Sequence, residues 1–231
     1  VAAAAARLPL STIHGARIGV GAYGCLQSHR LFWQRLIDSG DAWGMVFEDD
    51  LLLAPGMMGL LAEQWIPEDA DIVKLETYLS KRFYVSALRR EAVGGRYLAR
   101  LCSTHLGTGC YVISGAVARR MMVATETIGE AIDQVLFDQK LGFFQTLVTY
   151  QMISAPVIQG VEAAYRARKA KAVGEGQPAD WHATSITERL VDAKSEASRK
   201  SETSLERLRR RISAEIWSRL RGQRYVFVHH G

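Results

Sequence analysis

Met45-Val46-Phe47-Glu48-Asp49-Asp50-Leu51-Leu52-Leu53 is the stretch on which the reading of this chain turns. An apolar run ends in three consecutive carboxylates, then resumes until Pro55-Gly56 breaks it. A buried strand that releases acidic side chains at its C-terminal end is a common way for an α/β fold to build a ligand site. Carboxylates this close repel one another unless a proton or a cation neutralises them. A hard divalent ion such as Mg²⁺ or Mn²⁺ removes the repulsion and can also hold a phosphate. The other reading is a solvated acidic turn after a strand, and the triplet alone leaves both open.

Outward from this stretch, the pattern predicts a helix over 24–39, with Leu26, Trp33 and Ile37 near one face and Gly40 just past its end. Residues 43–47 read as a buried strand, and 57–65 as a short helix stopped by Pro67. Further strands are expected over 71–76, 82–88, 97–102, 110–113 and 146–150, with a turn at Gly94-Gly95 and an extended segment over 155–159. Ser114 is placed to cap a helix over 115–124, and 128–140 reads as another helix. Strands and helices alternating over the first 160 residues give an α/β fold with a mixed central sheet. Beyond them, 169–183 reads as a linker and 184–231 as a basic helical tail. The tail has a thin apolar stripe through Leu205, Leu208, Ile212, Ile216 and Leu220, and a last short strand over 225–228.

The 231 residues suit one domain of ordinary or slightly large size, and 48% hydrophobic residues suffice for a core. No apolar run approaches the roughly 18 residues needed to span a bilayer. Val1 to Ala6 is alanine-rich without a preceding basic segment, so a secretory signal peptide is not expected. Cys25, Cys102 and Cys110 are odd in number and lack metal-type spacing; they read as small buried residues in a reduced, cytoplasmic setting. The net charge of +5 is uneven: residues 1–160 carry 14 Lys/Arg against 15 Asp/Glu, residues 161–231 carry 15 against 9. The site region is therefore not basic, which argues against a nucleic-acid partner.

Several segments, in order, resemble one family. Gly24-Cys25-Leu26-Gln27-Ser28-His29 with Trp33, Val46-Phe47-Glu48-Asp49-Asp50, Asp71-Ile72-Val73-Lys74-Leu75-Glu76 and Gly107-Thr108-Gly109-Cys110-Tyr111-Val112-Ile113-Ser114 are similar to motifs of glycosyltransferase family 25. So are Ala131-Ile132-Asp133-Gln134, where Ala131 stands in place of the usual Pro, and Pro156 to Gln159 with Ser185-Ile186. Members are lipooligosaccharide-type galactosyltransferases related to the collagen galactosyltransferases. The family's opening strand and helix have no counterpart in residues 1–15.

The resemblance implies a GT-A-like nucleotide-sugar-binding domain over 1–168. It implies metal-dependent, inverting transfer of a sugar, galactose from UDP-galactose, to a glycan or glycolipid acceptor such as lipooligosaccharide. Glu48, Asp49 and Asp50 would hold Mn²⁺ or Mg²⁺, with Asp50 a direct ligand. Inversion needs a base, and Asp133 is the candidate; its other reading is an Asp that favours a helix N-terminus. Ser28 and His29 take a donor-side role, although a helical His read alone is a core or interface residue. Thr108 and Tyr111 would bond sugar hydroxyls, with Tyr111 equally readable as a core aromatic. Lys74 and Glu76 are assigned to substrate binding, and no structural ion pair between them is expected, since both can point to solvent. His105 reads as a loop residue near the acceptor pocket. The rival reading is a non-catalytic binding or scaffolding relative. The basic tail would pack on the domain, join a second copy, or lie on an anionic membrane surface at the inner-membrane periphery. The membrane role predicts that deleting residues 187–231 abolishes binding to anionic vesicles; unchanged binding removes it.

Overall fold

A computed structural model describes residues 1–62, 64–77, 83–160 and 223–226. One helical turn, α1 (Ala2–Ala5), opens the chain, and no strand precedes α2 (Val20–Ser39) among the described residues. α2 begins four residues before the expected start. Its buried residues Leu26, His29, Trp33 and Leu36 repeat at three and four, so they share one face. Gly40 ends it in the left-handed region (φ 74°), where a residue without Cβ is unstrained, and its N–H reaches Ile37 O.

The acidic triplet lies where the chain changes sheets. β1 (Trp43–Phe47) belongs to a seven-stranded mixed sheet, whereas Leu51–Leu53 forms β2 of a separate three-stranded sheet. The expected strand over 71–76 divides in the same way. β3 (Ile72–Lys74) stays in the large sheet, and β4 (Glu76–Thr77) enters the small one. The other strands are β5 (Phe83–Glu91), β6 (Tyr97–Leu101), β7 (Cys110–Ser114), β8 (Thr149–Ile153), β9 (Val157–Gln159) and β10 (Gln223–Val226). The large sheet runs β1-β7-β3-β8-β6-β5-β10, antiparallel except at β3–β8; the small one runs β2-β9-β4. Within the large sheet, Phe47 pairs with Cys110 and Lys74 with Tyr111.

Both faces of the large sheet are covered. Ile72, Tyr111 and Ile113 face a core built with Leu26, Trp33 and Leu36 of α2, Val117 and Met121 of α4 (Gly115–Ala124), and Val135 and Phe137 of α5 (Ile132–Phe137). Val73, Cys110 and Val112 face the other core, with Met57, Leu60 and Trp65. Strand alternation thus fills both layers.

Other boundaries moved for local reasons. α4 is as expected, with Val117 N–H donating to the Ser114 hydroxyl at 3.2 Å. The expected helix over 128–140 shrinks to α5, because the backbone is extended at Ala131 before it (ψ 148°) and at Asp138 after it (ψ 117°). A short α6 (Gly142–Gln145) delays the next strand to Thr149. The expected helix over 57–65 is one turn, α3 (Gly59–Ala62). Val93–Gly95 is a 3₁₀ turn, with Gly94 and Gly95 left-handed. Arg82, the linker, Ser185-Ile186 and the helical tail lie outside the described residues, apart from β10, which overlaps the last expected strand.

Two junctions fix the geometry near the triplet. At the first, Gly109 lies between the sheets: a Cβ there would meet Glu76 Oε2 at 2.6 Å and Leu51 Cδ2 at 2.8 Å. At the second, Glu130 clasps the N-terminal loop, accepting from Ser11 Oγ (2.6 Å), Thr12 Oγ1 (2.7 Å) and Thr12 N–H. Gln134 Nε2 donates to His14 Nε2 in the same loop. Burial works against ionising Glu130, but the Ser11 and Thr12 bonds outweigh it and hold the carboxyl below its ordinary range. Gly109→Ala is expected to lower stability by about 1–3 kcal/mol through overpacking, read as a lower urea midpoint at unchanged slope. Glu130→Gln should cost about 1–3 kcal/mol at neutral pH. A depressed folded-state carboxyl contributes above its unfolded range and loses that contribution on acidification. The wild-type advantage over Glu130→Gln therefore shrinks as pH falls through the carboxylate range, a trend that paired urea titrations check.

Candidate functional site

The sheet carries the triplet to a cleft of about 830 Å³. Glu48 N–H donates to Gly109 O at 2.9 Å, extending the β1–β7 ladder by one residue before the chain leaves the sheet. Cys25, Ser28 and His29 of α2 form one wall, and Gly107 and Thr108 another. Ala131, Ile132 and Asp133 close a third side, and Gln159 at the end of β9 a fourth. Of the residues singled out from sequence, Ser28, His29, Glu48, Asp49, Asp50, Thr108 and Asp133 meet at this cleft. Lys74, Glu76 and Tyr111 lie beneath it, each fully buried.

Glu48 is held on one oxygen. Oε1 accepts from Thr108 Oγ1 at 2.8 Å and lies 3.3 Å from His29 Nε2 and 3.9 Å from Cys25 Sγ. Burial pushes its carboxyl up, but the hydrogen bonds from His29 and Thr108, with attraction to Lys74, outweigh it and hold Glu48 below the ordinary range. Asp50 is the opposite case. Burial raises its carboxyl, and repulsion from Glu48 and Asp49 adds to that. Its Oδ1 is buried with no hydrogen-bond partner among the described residues. A buried, unpartnered carboxylate oxygen is costly, and a proton or a hard cation would relieve it. Asp50 Oδ1 offers a place for a cation, while the donor atoms that come together among the described residues are those of Cys25, His29 and Glu48.

The Lys74–Glu76 pair corrects the sequence reading. Nζ and Oε1 are 2.7 Å apart and both side chains are wholly buried. Residues two apart share a strand face, but here that face is covered by α5, and Lys74 Nζ lies 4.2 Å from the centre of the Phe137 ring. Lys74 also donates to Gly107 O. Burial pushes Lys74 down and Glu76 up, while their mutual attraction opposes both shifts. Glu76 reaches the cleft through Gln159, whose Nε2 donates to Oε2 at 3.2 Å.

Tyr111 Oη is engaged by Trp33 Nε1 (3.1 Å) and His29 Nδ1 (2.8 Å). Asp133 sits in the first turn of α5, and its Oδ1 accepts the Gln134 N–H at 2.9 Å. His105 is not at the cleft: it is buried, stacked on Phe83 at 3.9 Å and bonded to Gln151. Cys25 is half-buried rather than buried, and burial followed by the Glu48 charge pushes its thiol up to about 12. Sequence reasoning missed the Cys25-His29-Glu48 grouping, whose donor atoms lie within 4.8 Å of one another. The available signal was that Cys25 and His29 stand one helical turn apart. Gln159 stood in the Pro156 to Gln159 motif without an assigned role, and β9 brings it to the cleft.

The model of Glycosyltransferase family 25 (LPS biosynthesis protein) matches residues 3–136. The chain is similar to the lipooligosaccharide biosynthesis protein lex-1 of Haemophilus influenzae, 29% identical over 153 residues, 62% of this chain and 50% of that protein. It is similar to two Neisseria gonorrhoeae lacto-N-neotetraose biosynthesis glycosyltransferases. LgtB is 37% identical over 41% of this chain and 36% of its own length; LgtE is 34% identical over 49% and 44%. The chain thus spans half or less of the length of these curated relatives. With the acidic triplet at its sheet switch and more than half of its length matched, the chain belongs to glycosyltransferase family 25.

Proposed function

We propose that residues 1–168 form the GT-A-like domain of a metal-dependent, inverting glycosyltransferase that moves galactose from UDP-galactose to a lipooligosaccharide-type glycan. The orphaned Oδ1 of Asp50, a residue that borders the cleft, carries this reading, because a cation would satisfy it beside the place where the family holds a nucleotide sugar. The relatives' names supply the acceptor class. Among the described residues no helix is long and apolar enough to cross a membrane, and the proposed setting is the cytoplasmic face of the inner membrane.

Asp50 would ligate Mn²⁺ or Mg²⁺ directly, with Glu48 and Asp49 beside it. Bound there, the ion would stabilise the negative charge developing on the leaving diphosphate. The protein's own groups do the rest. Ser28 lies on the α2 wall, with its hydroxyl bonded back to Gly24 O at 3.1 Å, and meets the donor from that side. Thr108 orients Glu48 and borders the sugar. Asp133, across the cleft, takes the proton of the acceptor hydroxyl onto its carboxylate as that oxygen attacks the anomeric carbon from the face opposite the diphosphate. Lys74 and Glu76 act from below, by holding the Gly107 and Gln159 edges of the cleft.

Calorimetric titration of the full chain should show UDP-galactose binding that requires Mn²⁺. Asp50→Asn should weaken that metal-dependent binding at least about tenfold, on the scale of a lost charged contact. The same variant should melt no lower than wild type in EDTA, since it removes a carboxylate that burial and like charges disfavour. Absence of Mn²⁺-dependent binding by wild type overturns the enzyme reading. Binding without turnover leaves the non-catalytic one.

A further inference from the structure

Four side chains form a hydrogen-bonded line that ends on the acidic triplet: Trp33, Tyr111, His29 and Glu48. Chemistry gives the line a direction. The Trp33 indole N–H can only donate, so Tyr111 Oη accepts from it at 3.1 Å. Tyr111 is fully buried, and its hydroxyl has two partners among the described residues, Trp33 and His29. Trp33 cannot accept, so the tyrosine proton goes to His29 Nδ1, 2.8 Å away. A neutral imidazole that accepts at Nδ1 carries its proton on Nε2. Nε2 faces Glu48 Oε1 at 3.3 Å, where a donor is required, because two acceptors facing each other would leave both unsatisfied. The two ends of the line agree on one tautomer.

The far end has a consequence for the carboxylate. His29 and Thr108 both address Oε1, and Cys25 Sγ lies nearest the same atom. Oε2 accepts no hydrogen bond from the described residues, and it is not a sealed-off atom, since Glu48 borders the cleft. The supports are rigid. Trp33 and His29 are one turn apart on the buried face of α2, and Tyr111 sits in β7 between β1 and β3. The His29 ring is stacked on Tyr111 at 5.6 Å with 13° between planes.

We propose that Tyr111 and His29 are positioning residues: Tyr111 sets the Nε2–H tautomer of His29, and His29 with Thr108 anchors Oε1 of Glu48 so that only Oε2 meets the bound donor complex. The identity of that complex rests on the function proposed above; the tautomer does not. Groups that orient a ligand from behind commonly change affinity or activity by about 10–100-fold.

Long-range ¹H–¹⁵N correlation of histidine rings in the full chain tests this, with His29 assigned by its loss in His29→Gln. Wild type is expected to show a single Nε2–H tautomer for His29. Tyr111→Phe keeps the ring in its slot but removes the hydroxyl, and should give mixed tautomers. It should also weaken Mn²⁺–UDP binding about tenfold, with acceptor KM unchanged. His29→Gln, which keeps an N–H donor within reach of Oε1, should retain more of that affinity than His29→Ala. An Nδ1–H tautomer in wild type overturns the proposal, as does an unchanged tautomer with unchanged affinity in Tyr111→Phe. Should Tyr111→Phe fail to fold, the wild-type tautomer and the Gln-against-Ala comparison decide. A wild-type protein that binds neither Mn²⁺ nor UDP defeats the proposed function, and the tautomer still decides the relay.

Discussion

Lys74 and Glu76 place a hydrogen-bonded ionisable pair wholly out of water, and the geometry around the cleft follows from satisfying it. Desolvation of such a pair is repaid only when nearly every donor and acceptor is matched. Lys74 meets Glu76 Oε1, Gly107 O and the Phe137 ring. Glu76 meets Lys74 and, on its other oxygen, Gln159. Gly107 then holds the loop that presents Thr108 to Glu48, and Gly109 must lack a side chain to let Glu76 pass. The pair therefore couples the small sheet, the large sheet and the loop between them. Breaking one partner of a buried pair costs about 3–5 kcal/mol, which makes this arrangement stiff.

Above that base the cleft is crowded with negative charge, and the protein treats its carboxylates differently. Glu48 is satisfied by hydrogen bonds and held ionised, while Asp50 is desolvated, repelled and left with an orphan oxygen. Two neighbouring acids with opposite shifts sit in different environments: one is a fixed part of the wall, the other is disfavoured as a carboxylate. The sheet switch makes this possible. β1 ends at Phe47 and β2 begins at Leu51 in another sheet, so the three acids occupy the turn between two rigid elements.

Much of the fold was legible in the chain. The spacing of Leu26, Trp33 and Ile37, the Gly40 stop and the Ser114 cap placed α2 and α4, with the start of α2 four residues earlier than expected. The apolar run Cys110 to Ile113 named a strand, which the structure buries on both faces. Lys74 showed the limit. Strand periodicity says which residues share a face, and only packing says whether that face is wet. The helix over 128–140 starts late beside a long-range contact, since Glu130 bonds Ser11 and Thr12 far back along the chain and propensity cannot see such a partner.

What the sequence determined by itself is chemical inventory and local order: an acidic triplet after an apolar strand, a Cys and a His one turn apart, and ordered motifs that identify the family. Those properties are short-range, set by covalent neighbours and helix or strand period. The tertiary structure alone decided which groups answer one another. It put Tyr111 under His29 instead of into the cleft, turned Lys74 inward onto Glu76, and left Asp50 Oδ1 without a partner while Glu48 gained two. Hydrogen bonds and desolvation depend on distances across strands and layers. Those distances are fixed only when β1, β7 and β3 pair in register and α2 closes over them.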